Sequence, residues 1–201
     1  MNDKKLDEGY WDNRYRDDSS AWDVGFISTP LKEYIDQLQN RELKILIPGC
    51  GNSYEAEYLF NHGFKNIFII DLADTPLENF AKRNPSFPKA HLLKGDFFDH
   101  KDTYDLIIEQ TFFCAINPSL RGAYVDKMHQ LLNPNGKLVG LLFDFEFDKE
   151  GPPFGGSKSD YIVLFTPYFE LKHFKPAYNS IEPRSGKELF ILCLRKNRGI
   201  D

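Results

Sequence analysis

From about residue 28 to residue 147, short apolar runs alternate with segments in which apolar residues recur every three or four positions. Such alternation predicts strands joined by helical crossovers, and so an α/β fold with a mostly parallel sheet and helices on both faces. Thr29 and Pro30 read as an N-cap and first helical position, after which Leu31, Tyr34, Ile35 and Leu38 share one helical face. The first strand spans 43–48, and a helix over 53–62 carries Ala56, Leu59 and Phe60 and stops at Gly63. NIFIID (66–71) is the second strand, Thr75 and Pro76 open the next helix, HLLKGDFF (91–98) supplies the third strand, and YDLIIEQ (104–110) is the fourth. A helix over about 118–132 leads through the turn NPNG (133–136) into a fifth strand, KLVGLLFDFEF (137–147).

After the fifth strand the pattern changes. GPPFGGS (151–157) is too rich in glycine and proline for regular structure and is expected to be a mobile loop near the site, within the span 148–159. A short helix near 160–165 precedes FELKHFK and ELFILCLRK, which fit an antiparallel pair at one sheet edge. The expected sheet therefore has seven strands, mostly parallel, with an antiparallel C-terminal edge strand. A chain of 201 residues with 41% hydrophobic content fills one core, so one domain over 1–201 is expected.

The first strand runs into LIPGCGNSYEAEYLF (46–60), where Gly49 and Gly51 occupy the strand-to-helix turn. In an open α/β sheet ligands sit beyond the carboxyl ends of the strands, and glycine there lets backbone approach them closely. Asp71 follows about twenty residues later at the end of the second strand, where a carboxylate accepts hydrogen bonds from ribose hydroxyls. The dinucleotide fingerprint needs a third glycine, but Tyr54 follows, and its bulk disfavours the packing around a pyrophosphate. The GK[ST] ending of a triphosphate loop is missing too. The common adenosine cofactor that carries no phosphate is S-adenosylmethionine. Asp96 and Phe97 end the third strand, where an acid and an aromatic would flank an adenine. Against this stands a turn that is merely structural.

YDLIIEQTFFCAINPSLRGAY (104–124) resembles the fourth-strand region of the thiopurine S-methyltransferase family of class I, S-adenosylmethionine-dependent methyltransferases. The closer similarity is to its plant halide and thiol (thiocyanate) methyltransferase branch. LIPGCGNSYEA, YWDNRYRDDSSAWDVGFISTPL, LLNPNGKLV and GPPF extend the resemblance, in order, over most of the chain. It implies a Rossmann-like fold and in-line transfer of a methyl group to a small soft nucleophile, leaving S-adenosylhomocysteine. The acceptors it implies are a thiol, thiocyanate or halide, or a thiopurine-like sulfur. It also implies that Trp11, Tyr15 and Trp22, in an N-terminal lid segment (1–27), close over the cofactor. Gly49 matches the position beside the methionine part, Asp71 the ribose acid, Asp96 with Phe97 the adenine pair, and Gln110 a further cofactor contact; Gly51, in the same turn as Gly49, and Leu72, next to Asp71, are counted with the cofactor-binding residues. Tyr15 stands where the family has tryptophan, Gln110 where it has tyrosine, and Glu109 where it has aspartate, departures that bear on substrate preference.

A thiol of pKa ~8.5 lies ~1.5 units above neutral pH, so ionising it costs only ~2 kcal/mol, whereas an alcohol needs far more help. No acid–base dyad stands out, and the five histidines are too scattered for a metal site, so sulfur or halide acceptors are favoured. If a base is used, Glu109 or Asp144 is the candidate. Phe112, Phe113 and Cys114 read as core, Asp144, Glu146 and Asp148 as a solvated strand face, and Arg184, Lys187, Arg195 and Lys196 as a solvated edge. Two rivals remain: a nicotinamide-dependent oxidoreductase, opposed by Tyr54, and a non-catalytic cofactor-binding regulatory protein.

The formal net charge is -5 and the cations are dispersed, so neither nucleic acid nor a membrane is an expected partner. No stretch approaches the ~18 apolar residues of a membrane helix. Three widely separated cysteines fit free thiols in a reducing compartment. The expectation is a cytoplasmic protein, monomeric or weakly homo-oligomeric, acting on a small molecule.

Overall fold

The structure, a computed structural model, describes residues 5–17, 19 and 22–197. Seven strands, β1 (Ile45–Pro48), β2 (Ile67–Asp71), β3 (Leu92–Lys94), β4 (Tyr104–Gln110), β5 (Leu132–Phe143), β6 (Phe169–Pro176) and β7 (Glu188–Arg195), form one sheet in the order β3-β2-β1-β4-β5-β7-β6. β1 to β5 are parallel, and β7 runs antiparallel to both of its neighbours. The antiparallel pair thus forms one edge as expected; the chain's last strand takes its inner position and β6 the outer one. Lys172, Lys175 and Pro176 on β6 suit an edge that must not recruit further strands.

The helices are α1 (Glu8–Arg16), α2 (Thr29–Asp36), α3 (Tyr54–Asn61), α4 (Asp74–Arg83), α5 (Arg121–Gln130) and α6 (Lys158–Phe165). Every residue of β1 is buried because the two faces of the strand feed different cores. Ile45 and Ile47 pack with Leu31, Ile35, Ala56, Leu59 and Phe80 of α2, α3 and α4. Leu46 lies in the other cluster, with Tyr124, Val125 and Met128 of α5 and Tyr161 and Phe165 of α6. Crossover helices on both faces are what turn each short apolar run into a fully buried strand.

Four local expectations change. The third strand is only Leu92–Lys94, because Asp96 accepts the Phe98 N–H at 2.8 Å and caps a 3-10 turn over Phe97–Asp99. The turn at 133–136 is absorbed into β5 as a ladder irregularity, with Leu132 already paired to Tyr104 and Asn133 donating to Asp105 at 2.8 Å. β5 stops at Phe143 instead of running to 147; Phe145 instead forms an isolated bridge to Gly156. The loop expected to be mobile is anchored in its second half. Phe154 N–H donates to the Cys114 carbonyl at 2.7 Å, Gly156 N–H to the Phe145 carbonyl at 3.0 Å, and Arg121 Nη2 to the Gly155 carbonyl at 2.7 Å.

Candidate active site

A cavity of about 780 Å³ opens where β1, β2 and β4 end, beside the point between β1 and β4 at which the strand order reverses. Its volume is in the range that holds a cofactor-sized molecule. All of the residues singled out as cofactor contacts line it: Gly49 and Gly51 from the β1 turn, Asp71 and Leu72 after β2, Asp96 and Phe97 after β3, Gln110 at the end of β4, and Trp11, Tyr15 and Trp22 from the N-terminal segment.

Backbone geometry explains the two glycines. Gly49 has φ 54°, and a Cβ there would lie 2.1 Å from the Phe112 ring; Gly51 has φ 50°, and a Cβ there would lie 2.7 Å from the Tyr15 hydroxyl. At Gly49 the left-handed backbone and the Phe112 ring together exclude a side chain; at Gly51 the left-handed backbone disfavours one, and the Tyr15 hydroxyl would have to shift to admit it. The carboxylate of Asp71 holds this turn to β2: Oδ2 accepts the Gly51 N–H and Oδ1 the Ala73 N–H, each at 2.9 Å. Burial pushes the Asp71 pKa up against the pull of those donors. A carboxylate has about four acceptor sites, so Asp71 still has acceptor capacity toward the cavity it lines.

The N-terminal segment covers the cavity with aromatic rings. Trp22 stands edge-on to Trp11, with centroids 5.8 Å apart, and to Tyr15 at 5.7 Å, and the Arg14 guanidinium lies 5.2 Å over the Trp22 ring. Among the described residues, the cavity lining includes buried polar atoms without a hydrogen-bond partner: Arg14 Nε, Asn52 Oδ1, Ser53 Oγ and Gln110 Oε1. Leaving such atoms unpaired is costly, so they suit a polar ligand. One cationic donor, two acceptors and a hydroxyl fit a molecule with a carboxylate, an ammonium and sugar hydroxyls, the groups that S-adenosylmethionine carries.

Glu109 and Asp144, the candidate bases, do not line the cavity. Glu109 is fully buried beneath it: Oε1 accepts the N–H groups of Phe112 at 2.8 Å and Phe113 at 2.9 Å, and Oε2 accepts the Tyr124 hydroxyl. Asp144 caps α6 by accepting the Lys158 N–H at 2.7 Å. Both carboxylates hold backbone in place, and neither faces a reacting atom. Phe113 is core, whereas Phe112 lines the cavity. Cys114 lines it too, but burial pushes its thiol up to about 12 and its S–H donates to the Thr111 carbonyl at 3.2 Å. Cys114→Ala is therefore expected to keep turnover within about twofold of the parent in a methyl-transfer assay, since a buried thiol is inert.

Arg184 corrects the expectation of a solvated basic edge. It is buried, lines the cavity, pairs with Glu188 at 3.4 Å and donates to the Trp22 carbonyl at 2.7 Å. Phe143, Phe145 and Phe147 line the same end of the cavity, so the aromatic half of FDFEF, not its acidic half, faces the site. Their period-two spacing was the signal for this, since alternate residues of an extended chain share a face.

A glycine turn held by a carboxylate at the end of the next strand, in a sheet whose last strand is reversed and inserted before the edge, is the arrangement of S-adenosylmethionine-dependent methyltransferases. The sequence matches the thiopurine S-methyltransferase family over residues 6–192, and the chain belongs to that family. It is 30% identical over 190 residues to thiocyanate methyltransferase 1 of Brassica oleracea, covering 91% of this chain and 83% of that protein. It is 28% identical over 186 residues to probable thiol methyltransferase 2 of Arabidopsis thaliana, covering 90% and 82%. Among solved structures, the Burkholderia thailandensis 1,6-didemethyltoxoflavin-N1-methyltransferase shares the fold with a TM-score of 0.74 at 15% identity, over 95% of this chain and 87% of that one.

Proposed function

We propose that the chain methylates a small, soft nucleophile, with a thiol or thiocyanate as the preferred acceptor and halide or a thiopurine-like sulfur within the same chemical range. The observation that carries this is the aromatic part of the lining, Phe112, Phe143, Phe145, Phe147, Pro152 and Pro153, together with the buried cation Arg184; no histidine is among the described lining residues, and the carboxylates Asp23 and Glu55 that also line the cavity already accept hydrogen bonds, Asp23 from Gly25 N–H and Asn52 Nδ2 and Glu55 from Ser28 N–H. Relatives named as thiol and thiocyanate methyltransferases support the same range.

S-adenosylmethionine, when bound, supplies an electrophilic methyl group on a sulfonium. The chain's own residues have three tasks. Asp71 would accept from the ribose hydroxyls, Asp96 and Phe97 would flank the adenine, and Gln110 Oε1, Asn52 Oδ1 and Arg14 Nε would meet the charged amino-acid end. The rings of Trp11, Tyr15 and Trp22 would exclude water from above, while the phenylalanines and prolines strip solvent from the acceptor and align it for in-line attack. Arg184, fixed by Glu188 and the Trp22 carbonyl, favours an acceptor in its anionic form. A thiolate needs no base at the moment of transfer because its ionisation costs only ~2 kcal/mol at neutral pH.

Comparing kcat/KM for small thiols, thiocyanate, iodide and thiopurines with that for alcohols and amines tests the proposal. Sulfur acceptors should lead by at least about a hundredfold, or ~2.7 kcal/mol. Preference for an alcohol or amine would overturn it.

A further inference from the structure

The lid helix α1 docks in an unusual way. Asp12 is the one buried residue of the helix, only 7% exposed, while Trp11 and Tyr15 turn toward the cavity. Its Oδ1 accepts the Thr75 N–H at 2.9 Å, and its Oδ2 pairs with Arg16 at 2.5 Å. Thr75 lies in the first turn of α4, whose own N-cap position is Ala73, which offers no side-chain acceptor. The free N–H groups at that helix start are therefore shared between two carboxylates from elsewhere: Asp71 takes Ala73 N–H and Asp12 takes Thr75 N–H. Around them, Lys94 bridges Glu8 of α1 to Asp74 of α4, 2.7 Å from Glu8. Burial opposes charge on Asp12, but Thr75, Arg16 and Lys94 outweigh it and hold its carboxyl below the usual range, so it is ionised at neutral pH.

We infer that Asp12 is a positioning residue, a latch that fixes the lid helix to the start of α4 and so governs how long a nucleoside stays beneath Trp11, Tyr15 and Trp22. α1 also meets the body of the protein through the Tyr15 hydroxyl at the Gly51 turn and through the Glu8–Lys94 pair, but Asp12 is its one buried residue and supplies its charged bond to the start of α4, so removing this carboxylate loosens the helix. Asp12 and Asp71 cap the same helix start, which places the anchor of the lid beside the acid assigned above to the ribose. The residence-time part rests on the cofactor reading above; the docking part does not.

The chain's two tryptophans, Trp11 and Trp22, both lie in the lid, so intrinsic tryptophan emission reports on that segment alone. In Asp12→Ala without ligand, emission should move to longer wavelength and acrylamide quenching should rise. S-adenosylhomocysteine should leave about tenfold faster in stopped flow, as for loss of a charged hydrogen bond. Asp12→Asn, which keeps an acceptor for Thr75 N–H, should stay within about threefold of the parent, a rescue that bulk destabilisation would not give. Arg16→Ala, which leaves the buried bond in place, should shift emission in the same direction by less and covers the case in which Asp12→Ala does not fold. Emission and quenching unchanged in Asp12→Ala, or changed with an unaltered release rate, would overturn the latch. A parent protein that fails to bind S-adenosylhomocysteine would contradict the cofactor reading, and emission alone would then decide the docking.

Discussion

Replacing Glu109 by alanine is expected to lower the unfolding free energy by at least ~3 kcal/mol, because it strands three donors in a site with no solvent access. The N–H groups of Phe112 and Phe113 and the hydroxyl of Tyr124 all point at this carboxylate, which is 0% exposed. The turn they belong to also carries Thr111 at φ 58°, an uncommon conformation for a β-branched residue, so the bracing holds a strained backbone next to Gln110 and Phe112. Glu109→Gln should behave differently. Burial pushes the Glu109 carboxyl up to about 7, opposed by those hydrogen bonds. Its folded pKa lies above the unfolded value, so its contribution is fully present below pH ~4.5 and is lost as the pH rises through ~7, with a total on the order of 3 kcal/mol. Glutamine imitates the protonated form and removes that loss. Urea unfolding at pH 5 and pH 8 checks this: the gap between Glu109→Gln and the parent should widen toward pH 8, and a constant gap would show that the carboxyl is not titrating in the fold.

Asp71→Ala should weaken S-adenosylhomocysteine binding by more than about tenfold, or ~1.4 kcal/mol, if it removes the charged acceptor proposed above for the ribose. It should also destabilise the free protein, since Gly51 N–H and Ala73 N–H lose their partner, and a released Gly51 would let the glycine turn relax. Asp71→Asn separates the two effects. Its amide oxygen can serve one N–H while the NH2 group disturbs the other, so stability should recover in part and affinity should not. Calorimetric titration beside thermal unfolding of both variants distinguishes these outcomes; unaltered affinity in Asp71→Ala would mean that the adenosine lies elsewhere.

The sheet was legible in the sequence because each central strand buries both faces and therefore appears as an unbroken apolar run between helix-patterned segments, as in Ile45–Pro48. The glycine turn was legible for a related reason: left-handed backbone at Gly49 and Gly51 restricts residue choice, and Asp71 lies at a fixed distance along the chain. What stayed hidden depends on tertiary meetings. Glu109 looks like a site acid from its position at the end of β4, and only the fold reveals that its oxygens face inward to Phe112, Phe113 and Tyr124. Arg184 sits in a polar stretch typical of a surface turn, yet Trp22, more than a hundred and fifty residues earlier, covers it. Asp12 gives no signal at all, because its partner is a backbone N–H on another helix. Glu109 and Asp144 each accept backbone N–H groups away from the cavity, which is why the bases proposed from sequence do not reach it.

Mass spectrometry of a reaction supplied with methyl-deuterated S-adenosylmethionine and a small thiol tests the central claim most directly. The expected result is a thioether carrying the labelled methyl, formed in equal amount with S-adenosylhomocysteine. Tight binding of the cofactor with no labelled product from any thiol, thiocyanate, halide or thiopurine would contradict it and would favour a protein that senses the cofactor without using it.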